Sequence, residues 1–303
     1  MDLVFHIGYH KTATSWLQQS YFREHPEIAL LSNSERPWED KLLSYLIATR
    51  DTDFDPEVAR TLLQEQVRAA GDTIAGRKVL LFSAERLSGH PFSGGYDSVR
   101  TARRIAAAFD DAKVICVVRN QRDMVWSVYK QLVFEGYPGT LDQLIQLRSW
   151  KTASFDLAYF EYDRLISQYL DLFGEGRVCV LQYELMRQDI GIFLGRLCAF
   201  LGVDYMAPQR AAARVNPSLP DASIGLARRL NYFRQSELYP FPMLDVGRRY
   251  ARLRKIAIKV AQRVPWLASR CDARLLQDLG PRFSESNAQL ARLLGDEFSE
   301  YGP

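Results

Sequence analysis

Four short runs of β-branched and other apolar residues constrain the fold of this chain more than any other feature. They are nearly continuous in apolar residues and lie at Leu3–Gly8, Lys78–Ser83, Lys113–Val118 and Arg177–Gln182. A strand with one face in water alternates polar and apolar residues, whereas a continuous apolar run suits a strand that is covered on both faces. The runs therefore predict a buried, mainly parallel sheet, with Ile28–Leu31 as a further short strand.

Segments with helical periodicity separate these runs, at Thr14–Glu24, Pro56–Ala70, Ser98–Phe109 and Asp123–Glu135. The alternation predicts an α/β fold, with a central, mainly parallel sheet flanked by helices. Ligands of such folds bind outside the carboxyl ends of the strands. The chemistry should therefore lie just after residues 8, 83, 118 and 182.

The pattern of apolar residues changes from strand-like to helical after the last run. Ile190–Leu201 has helical spacing and ends at Gly202, and the chain beyond about Asp204 reads as mainly helical with several prolines. We interpret residues 1–303 as one domain, with an α/β core at 1–203 and a helical extension at 204–303. A separate C-terminal domain is the alternative.

Composition narrows the class of protein. The chain of 303 residues is 47% hydrophobic and 25% charged, and its net charge of +3 is too small to predict nucleic-acid binding. The apolar run at the start breaks at His6 and His10, and no stretch approaches the roughly 18 apolar residues of a spanning helix. The four cysteines are scattered and the histidines lack ligand spacing, so we expect a cytoplasmic protein without a metal site.

The loop after the first run has the properties of an anion site. Residues 8–16 read Gly-Tyr-His-Lys-Thr-Ala-Thr-Ser-Trp, so Lys11 and three hydroxyl residues open a helix. Free N–H groups and the helix dipole favour anions at such a position. The spacing is not that of a Walker A loop, because no glycine directly precedes Lys11. Alternatively, Thr14 or Ser15 merely caps the helix.

The third long run ends in Arg119, and Ser127 follows eight residues later. A strand-end arginine lies at the same edge of the sheet as the first loop, and Ser127 would lie about two turns into the next helix. The planar guanidinium suits a terminal phosphate because it donates two parallel hydrogen bonds. A surface ion pair is the alternative for Arg119.

Together these two segments resemble the signatures of the PAPS-dependent sulfotransferases, which use 3′-phosphoadenosine-5′-phosphosulfate (PAPS). Residues 11–16 fall on the family's Lys-Ser-Gly-Thr-Thr-Trp loop, and bacterial members have a similar His-Lys-Thr-Gly-Thr version. The family's second segment, Arg-Asn-Pro-x-Asp-x-x-x-Ser, is matched at Arg119, Asn120, Asp123 and Ser127. Two departures are Ala13 for glycine and Gln121 for proline; Ala13 raises the question whether that position needs a positive φ.

The resemblance implies a P-loop NTPase-like scaffold and roles for individual residues. Lys11 would contact the phosphosulfate and act catalytically, and Arg119 and Ser127 would hold the 3′-phosphate. Trp16 would stack on adenine, although burial in the core is the alternative. The implied cofactor-binding set is Lys11, Thr12, Ala13, Thr14, Ser15, Trp16, Arg119, Ser127 and Tyr183.

Glu85, just after the second long run, is the candidate general base for an acceptor hydroxyl. The family uses a glutamate or a histidine in this role, so His10 and His90 are alternatives; Glu85 could instead pair with Arg86. At the fourth run, Tyr183 begins a segment similar to the family's Tyr-Glu-Asp-Leu, and residues 283–302 resemble the end of bacterial members.

Residues 248–263 form a basic run with amphipathic helical spacing and no acidic residue. A solvated surface helix is the simplest interpretation. The alternative hypothesis is that the run attracts an anionic acceptor or an anionic membrane surface, which would make the protein peripheral to the membrane.

We therefore predict transfer of a sulfuryl group from PAPS to an acceptor hydroxyl by in-line attack, with PAP (adenosine 3′,5′-bisphosphate) as product. Glu85 would be the base, and Lys11 would stabilise the leaving phosphate. The resemblance favours a carbohydrate or glycolipid acceptor, which the extension at 204–303 would help to bind, and small phenols and peptides are the alternative acceptors. No metal is expected, because Lys11 and backbone N–H groups would supply the positive charge. An ATP-dependent kinase on a related scaffold and a non-catalytic module that binds nucleotide or anionic polymer are the alternatives.

Overall fold

The computed structural model describes residues 1–32, 39–147, 154–208, 219–242, 244–263, 271–295 and 298. Within these residues five strands form one sheet with the order β2-β3-β1-β4-β5, and every neighbouring pair is parallel. The strands are β1 (Asp2–His6), β2 (Ile28–Ser32), β3 (Val79–Ser83), β4 (Lys113–Val118) and β5 (Val178–Gln182). The predicted parallel α/β architecture is confirmed, with strand ends shifted by at most two residues.

Helices cover both faces of the sheet. They are α1 (Thr14–Leu17), α2 (Lys41–Ala48), α3 (Pro56–Ala70), α4 (Ser98–Ala108), α5 (Gln121–Glu135), α6 (Leu141–Gln146), α7 (Tyr162–Phe173), α8 (Tyr183–Gln188), α9 (Ile190–Leu201), α10 (Ile224–Asn231), α11 (Tyr250–Arg263), α12 (Cys271–Asp278) and α13 (Ser284–Leu294). None of the described helices is long and apolar enough to cross a bilayer.

Successive residues of each strand enter two different cores, which explains the continuous apolar runs. In β1, Phe5 packs in a large core with α2 to α7, whereas Val4 packs in a second core with α1, α8 and α9. In β4, Val114 and Ile115 divide in the same way. Side chains of a strand point alternately to opposite faces, so a strand buried on both faces needs apolar residues at every position.

The first predicted helix, Thr14–Glu24, differs from the observed structure. The α-helix ends at Leu17 and continues as a π-helical turn over Gln18–Phe22. The Gln18 side chain donates to the carbonyl and hydroxyl oxygens of Ser83, at 2.9 Å each. Such wider turns commonly occur near functional sites, and here the turn accompanies a side-chain link to the end of β3.

The C-terminal extension packs on the core. Ile224 of α10 and Leu290 of α13 belong to the same buried cluster as Phe5 in the sheet. Ser286 of α13 also donates a hydrogen bond to the Asp163 carboxylate of α7. This shared core supports the interpretation as one domain, which stays a prediction.

Candidate functional site

The loops after β1, β3 and β4 meet at the middle of the sheet's carboxyl edge. β1 lies between β3 and β4, so the loops that carry Lys11, Glu85 and Arg119 are direct neighbours. We call the edge formed by these three loops the rim. β2 and β3 lie on one side of β1, and β4 and β5 lie on its other side, so the direction of the strand order reverses at β1. In open α/β sheets, ligands bind at the carboxyl edge where this reversal occurs.

The first loop holds two non-glycine residues with left-handed backbone conformations. Lys11 has φ 66° and Ala13 has φ 65°. The left-handed conformation costs a residue with a Cβ about 1–2 kcal/mol of steric energy. Residues with such strain tend to cluster at functional sites. The position that carries glycine in the resembling loop therefore has a positive φ in this protein as well, although alanine occupies it.

The loop buries most of its polar side chains. The Thr12 hydroxyl donates to the Tyr9 carbonyl at 2.5 Å, and Thr14 is buried at the start of α1. Ser15 and Lys11 are half-buried. Burial lowers the pKa of Lys11, and the Glu85 carboxylate opposes that shift. The ammonium group is thus partly desolvated, which strengthens its attraction for an anion.

Glu85 begins a short 3₁₀ turn that ends at Ser88. Burial raises the pKa of its carboxyl to about 7, while Lys11 and the Thr14 hydroxyl oppose the rise. The side chain nevertheless remains 24% exposed, so a substrate can reach it. A carboxyl that titrates near neutrality at an accessible rim has the properties of a general base.

The two histidines named as alternative bases lie beside this carboxyl. His10 Nε2 is 4.0 Å from Glu85 Oε2, and the His10 and His90 rings meet edge to face at 5.4 Å. Burial lowers the pKa of His10 well below its usual value, with His90, Lys11 and Arg86 adding to the shift, and burial also lowers the pKa of His90. Both histidines are therefore neutral near pH 7. The alternative ion pair of Glu85 with Arg86 is not seen; Arg86 pairs with Asp97.

Arg119 connects three loops of the rim. Its Nη1 donates to the Lys11 carbonyl at 3.2 Å, and its guanidinium lies 4.8 Å from the centre of the Tyr183 ring at the start of α8. Asp123 lies 3.8 Å away, and the Tyr162 hydroxyl donates to the Arg119 carbonyl at 2.7 Å. The buried Nε has no hydrogen-bond partner among the described residues. The guanidinium is thus held in place with donor capacity to spare.

Trp16 and Ser127 complete the predicted set. Trp16 is only 3% exposed and stacks on Tyr21 in the second core, which favours core packing over adenine stacking; its stacking role stays a prediction. Ser127 is buried at the second turn of α5, as expected from its spacing. Lys11, Glu85, Arg119 and Tyr183 meet at the rim.

Sequence reasoning missed the polar groups beneath the first loop. His6 Nδ1 and Ser83 Oγ are 2.7 Å apart, and burial lowers the pKa of this histidine to about 4. A Cβ on Gly8 would lie 2.8 Å from His6 Nε2, so only glycine fits above the ring. The signal in the sequence was a histidine within an otherwise apolar strand.

A tyrosine cluster beneath the site was also missed. The Tyr9 ring packs edge to face against Tyr159 at 5.2 Å and Tyr162 at 4.6 Å. The Tyr159 hydroxyl lies 3.1 Å from Ser88 Oγ. These contacts join the loops after β1, β3 and β4 to one cluster of tyrosines. No sequence motif predicts this cluster.

The C-terminal segment reaches the same region. Asn287 of α13 and Gln121 at the start of α5 exchange side-chain amide hydrogen bonds. Gln121 is the residue at which the second signature departs from proline, so the departure gives α13 a buried polar contact beside Arg119. No group of His, Cys, Asp and Glu with metal-binding geometry occurs in the described ranges.

Both the sequence and the fold are similar to those of known sulfotransferases. The model of the sulfotransferase family matches residues 4–207. No curated protein sequence matches the chain. A sulfotransferase structure from Alicyclobacillus acidocaldarius superposes with a TM-score of 0.57 at 19% identity, over 99% of this chain and 98% of that chain.

A second solved structure, mouse sulfotransferase SULT7A1 complexed with PAP, is 16% identical with a TM-score of 0.41, over 99% of this chain and 89% of that one. The bacterial structure shows the fold, and the family model covers about two thirds of the sequence, including the loops of Lys11, Glu85 and Arg119. The chain belongs to the sulfotransferase family.

Proposed function

We propose that the protein transfers a sulfuryl group from PAPS to an acceptor hydroxyl. The observation that carries this proposal is the hydrogen bond from Arg119 Nη1 to the Lys11 carbonyl. The bond brings the two cationic residues to one rim, where Lys11 would bind the 5′-phosphosulfate and Arg119, with Ser127, would bind the 3′-phosphate. The unpaired Nε of Arg119 and the partly desolvated Lys11 fit a doubly anionic ligand.

The residues of the first loop would bind and orient the donor. The hydroxyls of Thr14 and Ser15 and the N–H groups that open α1 would hold its oxygens, and Tyr183, already stacked on Arg119, would face the adenine side. When bound, PAPS supplies a sulfuryl group whose bond to the 5′-phosphate breaks as the acceptor oxygen binds sulfur. Lys11 is positioned to stabilise negative charge on the leaving phosphate.

Glu85 would take the acceptor's proton. Its carboxyl titrates near pH 7, is reachable from solvent and lies beside neutral His10. Positioned proton transfer of this kind accelerates reactions by roughly 10²–10⁴-fold. A carbohydrate or glycolipid acceptor is the expectation from the family resemblance, and the extension at 204–303 would contribute to its binding.

The experiment measures sulfate transfer from labelled PAPS across a panel of hydroxyl acceptors. Lys11→Ala should lower kcat by roughly 100- to 1000-fold, because a preorganised charge at the leaving group is removed. Lys78→Ala, which removes the same charge from the exposed surface at the amino end of β3, is the matched control and should leave kcat unchanged. Transfer that survives in Lys11→Ala would contradict the assigned role, and transfer of phosphate from ATP instead would revive the kinase alternative.

A further inference from the structure

Helix α11 carries a strong positive charge. Its fourteen residues include Arg252, Arg254, Lys255, Lys259 and Arg263 and no acidic residue. Arg254 is engaged in packing, since its guanidinium lies 4.2 Å from the centre of the Phe134 ring and donates to the Phe134 carbonyl. The other four are exposed, and none has an ion-pair partner in the part of the chain that the structure describes. These four residues form a basic stripe, and they do not contribute to packing of the core.

The helix already has a face for the protein core. Tyr250 and Ala257 are buried, and the Tyr250 hydroxyl donates to the Asn231 side chain of α10. These two residues are seven positions apart and therefore lie on one side of the helix. Any further apolar residues on another side are not needed for its attachment.

A second set of apolar residues on α11, which we call the apolar stripe, is exposed to solvent. Leu253, Ile256 and Val260 are 41%, 59% and 44% exposed. Their spacing of three and four residues places them in one line along the helix, next to the basic stripe of Arg252, Lys255, Lys259 and Arg263. An exposed apolar line beside cations, on a helix anchored by its opposite side, is the pattern of helices that lie in a membrane interface.

We propose that α11 docks the protein on an anionic phospholipid surface. The basic stripe would meet the lipid phosphates and carboxylates, and the apolar stripe would enter the boundary between headgroups and acyl chains. A soluble polyanion, such as a sulfated polysaccharide, would use the cations but would leave the three apolar residues in water. The apolar stripe is therefore what distinguishes a membrane from a soluble partner.

The geometry keeps the candidate active site clear of this surface. α11 contacts Phe134 at the end of α5, whereas Arg119 precedes the beginning of that helix. The fourteen residues from Gln121 to Phe134 correspond to roughly 20 Å of helix. Docking through α11 would leave the rim open, and the inference does not depend on the reaction proposed there.

The test is cosedimentation of the full chain with phosphatidylcholine vesicles, with and without phosphatidylserine. We expect binding only to the vesicles with phosphatidylserine. Lys255→Gln/Lys259→Gln should weaken it by roughly 30-fold, because two cations near an anionic bilayer are lost. Leu253→Gln/Ile256→Gln/Val260→Gln should weaken it by roughly tenfold or more, because the inserted apolar area is lost.

Matched controls come from α3, where Val58 and Arg68 are exposed. Val58→Gln and Arg68→Gln should bind as the unchanged protein does, and thermal melts should show that every variant is folded. Equal binding to both vesicle types, or none to either, overturns the proposal. Loss of binding in the charge variant alone, with the apolar variant unaffected, also overturns it and points to a soluble polyanion.

Discussion

Two residues of the first loop hold backbone conformations that side chains with a Cβ rarely adopt. Lys11 and Ala13 both have φ near 65°. Neither value follows from composition or periodicity; only the glycine at the equivalent place in the resembling loop indicated it for Ala13. The strain is local to the loop that would bind the phosphosulfate. A single substitution that relieves it should therefore change the stability of the protein.

Ala13→Gly should raise the free energy of unfolding by about 1 kcal/mol, because glycine adopts a positive φ without the steric cost of a Cβ. Denaturant unfolding measures this. The control is Ala288→Gly, the same change at an exposed position inside the regular helix α13, which should cost about 1 kcal/mol instead. If both variants lose the same stability, Ala13 is not strained.

Glu85 is the residue whose protonation should govern the reaction. Burial raises its pKa to about 7, and only the ionised form can accept a proton, so kcat/KM should rise with pH through about 7. Glu85→Gln should remove this limb and lower the rate by roughly 100- to 10,000-fold. Glu65→Gln, on the exposed surface of α3, is the control. A rising limb that persists in Glu85→Gln would assign the base to another group.

At the scale of elements, a buried polar chain ties β1, β3 and the π-helical turn together. His6 of β1 and Ser83 of β3 occupy the same register position, and Gln18 donates to Ser83 from the turn. The strands were readable from sequence because each is covered on both faces. The π-helical turn was not, since the apolar spacing of residues 14–24 fits a regular helix equally well and the link to Ser83 is tertiary.

This chain of contacts makes stability depend on pH. Burial lowers the pKa of His6 from 6.5 to about 4, so the unfolded chain binds a proton at a pH where the folded protein does not. Stability should therefore fall as pH decreases from 6.5 to about 4, by about 3 kcal/mol from this group. Denaturant unfolding across this window should show that dependence.

His6→Gln isolates the contribution of that histidine. Glutamine can still accept from Ser83 but does not titrate, and His10 and His90 remain in both proteins, so their contributions cancel. The difference in stability between the two proteins should shrink or reverse towards low pH. Parallel pH dependences for the two proteins would show that His6 is not the titrating group.

At the scale of the whole molecule, strand order is what turns separate motifs into one site. Each signature was recognisable as a strand end followed by Lys11, Glu85 or Arg119, and the parallel sheet explains why they share an edge. Other features depend on residues that are far apart in sequence. They are the order of the strands, the tyrosine cluster around Tyr9 and the contact of Asn287 with Gln121. They could not be predicted because no local pattern encodes which distant partner a side chain meets.

If one rim binds a nucleotide with anionic groups at both its 5′ and 3′ ends, the protein should prefer PAP to ATP, and calorimetry with the two nucleotides measures this preference. We predict that PAP binds at least about tenfold more tightly than ATP, a difference of about 1.4 kcal/mol. Arg119→Lys should erode that preference, because lysine keeps the charge but loses the fork and the stacking on Tyr183. Tighter binding of ATP than of PAP, or a preference unchanged in Arg119→Lys, would show that Arg119 does not bind a 3′-phosphate at this rim.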